Sequence, residues 1–457
     1  MVRATILPPS PHTSLGRPDQ MLRRSALLLA AALIVAAASY VFAAAPATSV
    51  PPAGPLGTGD SSDSSGLLPL EERIAFWSAR VGRDPGDFLS MVQLALLDAE
   101  LARRDSDLAA YERADGLLTQ ALVLDPTHLP ALRAKAAVRF SLHDFAGAAQ
   151  VAEEVLRTTA DDPAALATLA DATLELGDLD AARVHYGRLA KLAQGPAVDA
   201  RLGRLAFLTG DEPAALRSAR AARDGVATAS LEDPAFYHYQ LAELARLTGD
   251  AELAASEYRA GLALRPNDVR LLLGAARLDA SQGRTPEAIA GLRQATAIVP
   301  QPEALALLGD LLAATGDRAG ADAAYATVRA IERLTSAAGT VYDRQVALFE
   351  LDHDGASADL LARLQAGLKV RHDAYGHDLV AWALYRSGDA RAAAAEIELA
   401  LSGGVRDPRL LYHAGAIALA NADRVLAKDR LEAALARATG LTPAEIADAR
   451  ALLESAR

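Results

Sequence analysis

Residues 302–328 read PEALALLGDLLAATGDRAGADAAYATV, and the fold is decided by this stretch. A segment of helical period runs from Pro302 to Gly316, and a second follows the glycine. The same beat extends outward in both directions. Gly177, Gly210, Gly249, Gly283, Gly316, Gly355 and Gly388 follow one another at intervals of 33, 39, 34, 33, 39 and 33 residues. Five of them precede an aspartate: Asp178, Asp211, Asp250, Asp317 and Asp389. Pro126, Pro163, Pro196, Pro234, Pro266 and Pro300 keep a similar spacing. Glycine supplies the positive φ that ends a helix, and proline tolerates its missing N–H near the start of the next. The unit is therefore helix, glycine turn, helix, proline turn.

Small and large residues alternate at fixed places in that unit. Ala182, Ala215, Ala254, Ala288, Ala321 and Ala393 stand five residues after a glycine, where a short side chain lets two helices approach. Tyr186, Tyr258, Leu292 and Tyr325 stand nine after it and fill the space between units. The 106 alanines among 457 residues fit this pattern, since alanine has the highest helix propensity and loses no side-chain entropy. Length alone allows about three domains; the continuous repeat makes them one solenoid.

These columns resemble the tetratricopeptide repeat (TPR), a helix–turn–helix module. Leu305, Leu308, Gly309, Gly316, Ala321 and Tyr325 match its pattern closely. So do Leu241, Ala242, Gly249, Ala254, Tyr258 and Pro266, and Leu166, Leu169, Ala170, Gly177, Ala182 and Tyr186. The chain is also similar to exported or membrane-anchored bacterial TPR proteins through its DLVAWALYRSGDARAAAAEIELAL and LLYHAGAIALA segments. The resemblance implies an all-α, right-handed superhelix of nine to ten units over residues 70–438, closed by a capping helix over 439–457. Thr442-Pro443-Ala444-Glu445 reads as the capping box that opens that last helix. Two departures stand out. The unit at 86–126 lacks the turn glycine and carries a long Arg103–Ala109 connection, and the unit at 341–367 has Leu360 where the small alanine belongs.

Residues 1–20 read as a disordered tail, or as a start-site artefact if Met21 is the true start. Residues 21–45 place Arg23 and Arg24 before an apolar run, the pattern of a signal peptide or an uncleaved signal anchor. Either way the arginines stay inside and the remainder is exported, with residues 25–45 in the membrane if uncleaved. Residues 46–69, rich in Pro, Ser and Gly, are a linker.

Function is sought on the concave face of the solenoid. The family's ligand-facing positions fall here on Tyr239, Glu243, Arg246 and Arg277, then Tyr342, Gln345 and Phe349, then Asp378, Trp382, Tyr385 and Arg386, then Arg409 and Tyr412, with His413 alongside. Tyr, Trp and Arg dominate binding hot spots, so this set predicts a groove for a protein or peptide partner. The competing reading is packing between helices. With four lysines and two asparagines, the chain does not assemble the carboxylate clamp of chaperone-binding TPR proteins.

Other classes are disfavoured. The net charge of −12 argues against nucleic acid. The absence of cysteine removes disulfides, zinc–thiolate sites, thiol nucleophiles and lipoprotein attachment. No P-loop, dinucleotide fingerprint, nucleophile elbow or His-Glu-x-x-His occurs. No catalytic residue, metal or cofactor is expected. The expectation is a non-enzymatic scaffold or assembly factor of the bacterial cell envelope. The alternatives are a small-molecule or ion-binding envelope protein using His372, His377 and His413, and a structural spacer.

Overall fold

The computed structural model describes residues 68–105, 107–226, 233–337 and 344–457. The expected export helix at 21–45, nearly all of the linker, and Tyr342 lie outside the described residues. Every regular element among those described is helical, and none of these helices is long and apolar enough to cross a membrane.

Among the described residues, Leu70–Arg83 (α1) precedes nine antiparallel hairpins and one irregular unit. Phe88–Asp105 and Leu108–Leu124 (α2, α3), Leu129–Ser141 and Phe145–Thr158 (α4, α5), and Pro163–Leu176 and Leu179–Leu192 (α6, α7) form the first three. Pro196–Leu208 and Glu212–Gly225 (α8, α9), Pro234–Thr248 and Ala251–Leu264 (α10, α11), and Val269–Ser281 and Thr285–Ile298 (α12, α13) continue the stack. Pro302–Ala314 and Arg318–Ala337 (α14, α15), Arg344–Phe349 and Ala358–Leu368 (α16, α17), Ala374–Arg386 and Ala390–Leu401 (α18, α19), and Pro408–Ala420 and Arg424–Leu435 (α20, α21) follow. Pro443–Ala456 (α22) ends the chain behind a capping box in which Thr442 and Glu445 satisfy each other's backbone N–H groups.

One hairpin explains the rest. Asp162 caps α6 by accepting from Ala165 N–H at 2.9 Å, and Pro163 sits at its first position. Gly177 ends the helix at φ 97°. Asp178 then caps α7, accepting from Ala181 N–H at 2.9 Å. The Gly-Asp pair thus stops one helix and starts the next. Ala182 and Tyr186 on α7 are buried, and the Tyr186 hydroxyl donates to Asp171 Oδ1 at 2.7 Å.

Two turns keep this geometry without glycine. His143, before Asp144, has φ 60°, and Ala422, before Asp423, has φ 63°. The strain of the left-handed region is therefore carried by ordinary residues at these two turns, which flank the run of turn glycines from Gly177 to Gly388.

The departures read in the sequence resolve as follows. In the first unit α2 runs on to Asp105, so most of the expected Arg103–Ala109 connection is helix; Leu101–Arg104 are good helix formers. In the irregular unit α16 is six residues long and passes into a π-helical turn at Glu350–Asp354. Leu360 is fully buried there, and the widened turn re-aims residues 350–354.

The solenoid also closes on itself. Arg371 and Glu175, 196 residues apart in sequence, pair at 2.7 Å. His372 N–H donates to the Leu176 carbonyl at 3.1 Å. Arg437 donates to both oxygens of Glu212 at 2.9 Å. Arg246 donates to the Thr439 carbonyl at 3.2 Å, and the Thr439 hydroxyl donates back to the Arg246 carbonyl at 2.5 Å. Phe207, Leu241, Leu244 and Leu247 belong to the same buried cluster as Val405, Leu410, Leu441 and Ile446, so apolar packing runs across this seam.

Candidate functional site

Closure turns the concave face into the wall of a chamber of about 900 Å³, the size range of ligand sites. The first helices of the hairpins supply most of its lining, because their C-terminal ends in the early units meet their N-terminal ends in the late ones. Ten carboxylates and seven arginines line it among the described residues.

Of the sequence-predicted residues, Arg246, Arg277, Gln345, Phe349, Asp378, Trp382, Arg386, Arg409, Tyr412 and His413 line this chamber. Tyr239 and Glu243 are buried behind the wall rather than on it. Glu243 accepts from Arg246 at 2.8 Å and from the Tyr258 hydroxyl. Burial opposes its charge, but Arg246 and Arg277 outweigh that and hold its carboxyl below the usual range. Burial also brings Arg277 down to about 10, against the pull of Glu243. Tyr385 packs on Trp382 without lining the chamber.

Most of the lining aromatics are fixed by their neighbours. Trp382 is 3% exposed; His413 stacks on it at 3.9 Å and Tyr385 at 5.0 Å. Its indole N–H donates to Asp352 Oδ1 at 3.0 Å. Tyr412 donates to Asp448 Oδ2 at 2.6 Å, and Tyr325 to Asp310 Oδ1 at 2.7 Å. His413 Nδ1 lies 2.8 Å from Asp378 Oδ1, and Arg409 pairs with Glu445 at 2.7 Å. Arg386 is exposed and reaches over the Trp382 ring at 5.9 Å.

Asp378 aside, the carboxylates of the wall are the residues that sequence reading missed. Asp310, Asp352, Asp378 and Asp448 are each held by an aromatic donor or a histidine, and among the described residues none has an arginine or lysine within 4 Å. Burial raises the Asp352 pKa, only partly offset by the Trp382 hydrogen bond. In the sequence Asp352 and His353 read as a simple turn; the π-helical turn carries both onto the wall. Nothing in the repeat columns marks Asp448, which lies on the capping helix.

A second cluster stands at the seam. Glu175 accepts from Arg204 and Arg371, while Asp373 accepts from Arg344. Burial opposes both charges, yet the arginines hold both carboxyls below the usual range. His143 faces Glu175, Arg371 and Arg344; burial holds it neutral, down to about 4, and its Nδ1 makes no hydrogen bond.

His372, His377 and His413 do not converge. His372 sits at the seam, His377 lies 2.7 Å from Glu396, and His413 meets Asp378. Among the described residues no group of three His, Asp or Glu is arranged to hold a metal ion.

Fold and site define an α-solenoid of helix–turn–helix units whose concave face lines a chamber. Residues 139–205 and 245–311 match the family model described as tetratricopeptide repeat, so the chain carries TPR units in both segments. TPR units typically bind proteins or peptides, and no catalytic family is indicated. The chain is similar in fold to yeast Tom70, at 12% identity over 85% of this chain and 92% of that one, with a TM-score of 0.36. It is similar to human IFIT1, solved as a dimer with PPP-AAAA, at 13% identity, 80% and 94% coverage and a TM-score of 0.44. It is also similar to PilW, a type IV pilus biogenesis factor, at 15% identity, 52% and 99% coverage and a TM-score of 0.39. No curated protein matches the chain.

Proposed function

We propose that the protein is a non-enzymatic scaffold or assembly factor of the cell envelope that binds a segment of a partner protein in its TPR chamber. The export signal read at residues 21–45 supports the location, with the solenoid outside the cytoplasmic membrane, anchored or released. The observation that carries the binding role is the chamber itself. Its volume is ligand-sized, and its wall presents polar groups whose positions are set by neighbours before any partner arrives. The buried aromatics Trp382, Phe349 and Tyr412 hold that wall rigid, while Arg386 and Asp448 are exposed on it. Tyr239 and Glu243 act here as framework.

The test is affinity capture from envelope extract with the wild-type chain and with Arg386→Ala/Asp448→Asn. Both substitutions fall on exposed side chains, and an unchanged helical circular dichroism spectrum is the expected control. Loss of a specific captured protein from the variant is expected. An identical set of captured proteins would show that the chamber is not the binding surface.

A further inference from the structure

We infer that the chamber is shut along its side and takes a single extended, basic segment that enters along the solenoid axis. This rests on the chamber being the binding site.

An open TPR groove lets a partner be laid in sideways. Here three features of different kinds close that route. Apolar side chains pack across the seam, Phe207 and Leu244 sharing a buried cluster with Val405 and Leu441. Backbone meets backbone, His372 N–H on the Leu176 carbonyl. Charged side chains bridge it at Arg371–Glu175 and Arg437–Glu212. Three successive turn glycines give the contact its closeness. A Cβ on Gly177 would stand 2.5 Å from the His372 carbonyl oxygen, one on Gly210 would overlap the Gly404 carbonyl, and one on Gly249 would stand 3.0 Å from the Ala436 carbonyl. The turn glycines beyond the seam, Gly283, Gly316 and Gly388, meet nothing within 4 Å. The seam thus joins buried apolar packing with backbone and charged contacts, the anatomy of a stable contact.

Solvent reaches the chamber where exposed lining residues such as Arg386 and Asp448 stand. A folded domain is too large for about 900 Å³, whereas one strand-like segment fits. The charge on the wall selects its chemistry. Asp310, Asp352, Asp378 and Asp448 accept only from Tyr, Trp or His donors among the described residues, so their negative charge is met by a lysine or arginine of the guest.

The natural chain has no cysteine, so Glu212→Cys/Arg437→Cys can be bridged with a short bis-maleimide to fix the seam shut. The probe is a capped Lys-Pro repeat peptide, which proline keeps out of the helix, with a Glu-Pro repeat as its counterpart. Calorimetry at physiological salt suppresses diffuse attraction to the acidic surface. The expected result is Lys-Pro binding that agrees within twofold between bridged and unbridged protein, falls at least tenfold in Asp352→Asn/Asp448→Asn, and is absent for Glu-Pro. Hydrogen exchange of the full-length wild-type chain reads the seam without any ligand. The His372 amide should exchange as slowly as amides of the buried Pro163–Leu176 helix. Exchange there at the rate of an exposed turn would overturn the closed seam. Loss of binding on bridging would overturn the axial route. Absence of Lys-Pro binding in both forms would overturn the basic guest, and a slow His372 amide would then still uphold the closure.

Discussion

Gly177 and Gly388 are the same residue in the same turn of the same repeat. Both sit in the left-handed region, at φ 97° and 93°, and both precede a capping aspartate. Yet Gly388 faces open space, while Gly177 is pressed against the backbone of residues 372–373 from a much later unit. At Gly388 glycine serves the turn alone. At Gly177 it serves the turn and the closure of the solenoid. The comparison teaches that one sequence column can answer to two physical demands, and that only one of them is local.

The largest effect should separate those demands. Gly388→Ala is expected to cost about 1 kcal/mol, the strain of a Cβ at positive φ. Gly177→Ala adds a clash with main chain that cannot rotate away, so a further loss of roughly 1–3 kcal/mol is expected. Urea denaturation of the two variants would measure the gap, and equal losses would show that Gly177 serves the turn alone.

Acid should strike the seam next. His143 has an ordinary value of 6.5 and is held down to about 4 by burial, facing Glu175, Arg371 and Arg344. The unfolded chain takes up the proton first, so its contribution is whole above pH 6.5 and lost as pH falls toward 4. The loss should reach roughly 2–3 kcal/mol. Glu175 and Asp373, depressed by their arginines, lose their share only as pH falls below the ordinary carboxylate range and through their own lowered values. His143→Asn, which tolerates the left-handed turn, should flatten the stability curve between pH 6.5 and 4. An unchanged curve would show that another group titrates there.

The smallest effect runs the other way. Ala422 holds φ 63° in the turn between α20 and α21. Ala422→Gly removes strain of about 1 kcal/mol, part of which is offset by the greater freedom of glycine in the unfolded chain. A rise in thermal midpoint is expected. A fall would mean that Ala422 packs more than it strains.

The hairpins were legible because their cause is local. A Gly-Asp pair stops one helix and caps the next, and Ala254 and Tyr258 fall at helix-contact spacing whatever lies elsewhere in the chain. The turns at His143 and Ala422 were hidden because neighbouring packing imposes the conformation on residues that do not advertise it. The candidate site was legible in part. The resemblance to TPR units implied that Trp382, Arg386 and Tyr412 face the groove, but it could not tell a free ring from one stacked between His413 and Tyr385. Asp352 was hidden for a different reason: the π-helical turn at 350–354 shifts the helical phase.

Sequence by itself determined the repeat, its turns and caps, and the helical face that looks inward, since each depends on contacts within a few dozen residues. Tertiary structure alone decided that the solenoid closes on itself. That outcome sums a small rotation over many units, and a slight change in each would bring Arg371 to a different partner or to none. It made Arg371 and Asp373 neighbours of Glu175 and turned an expected open groove into a walled chamber.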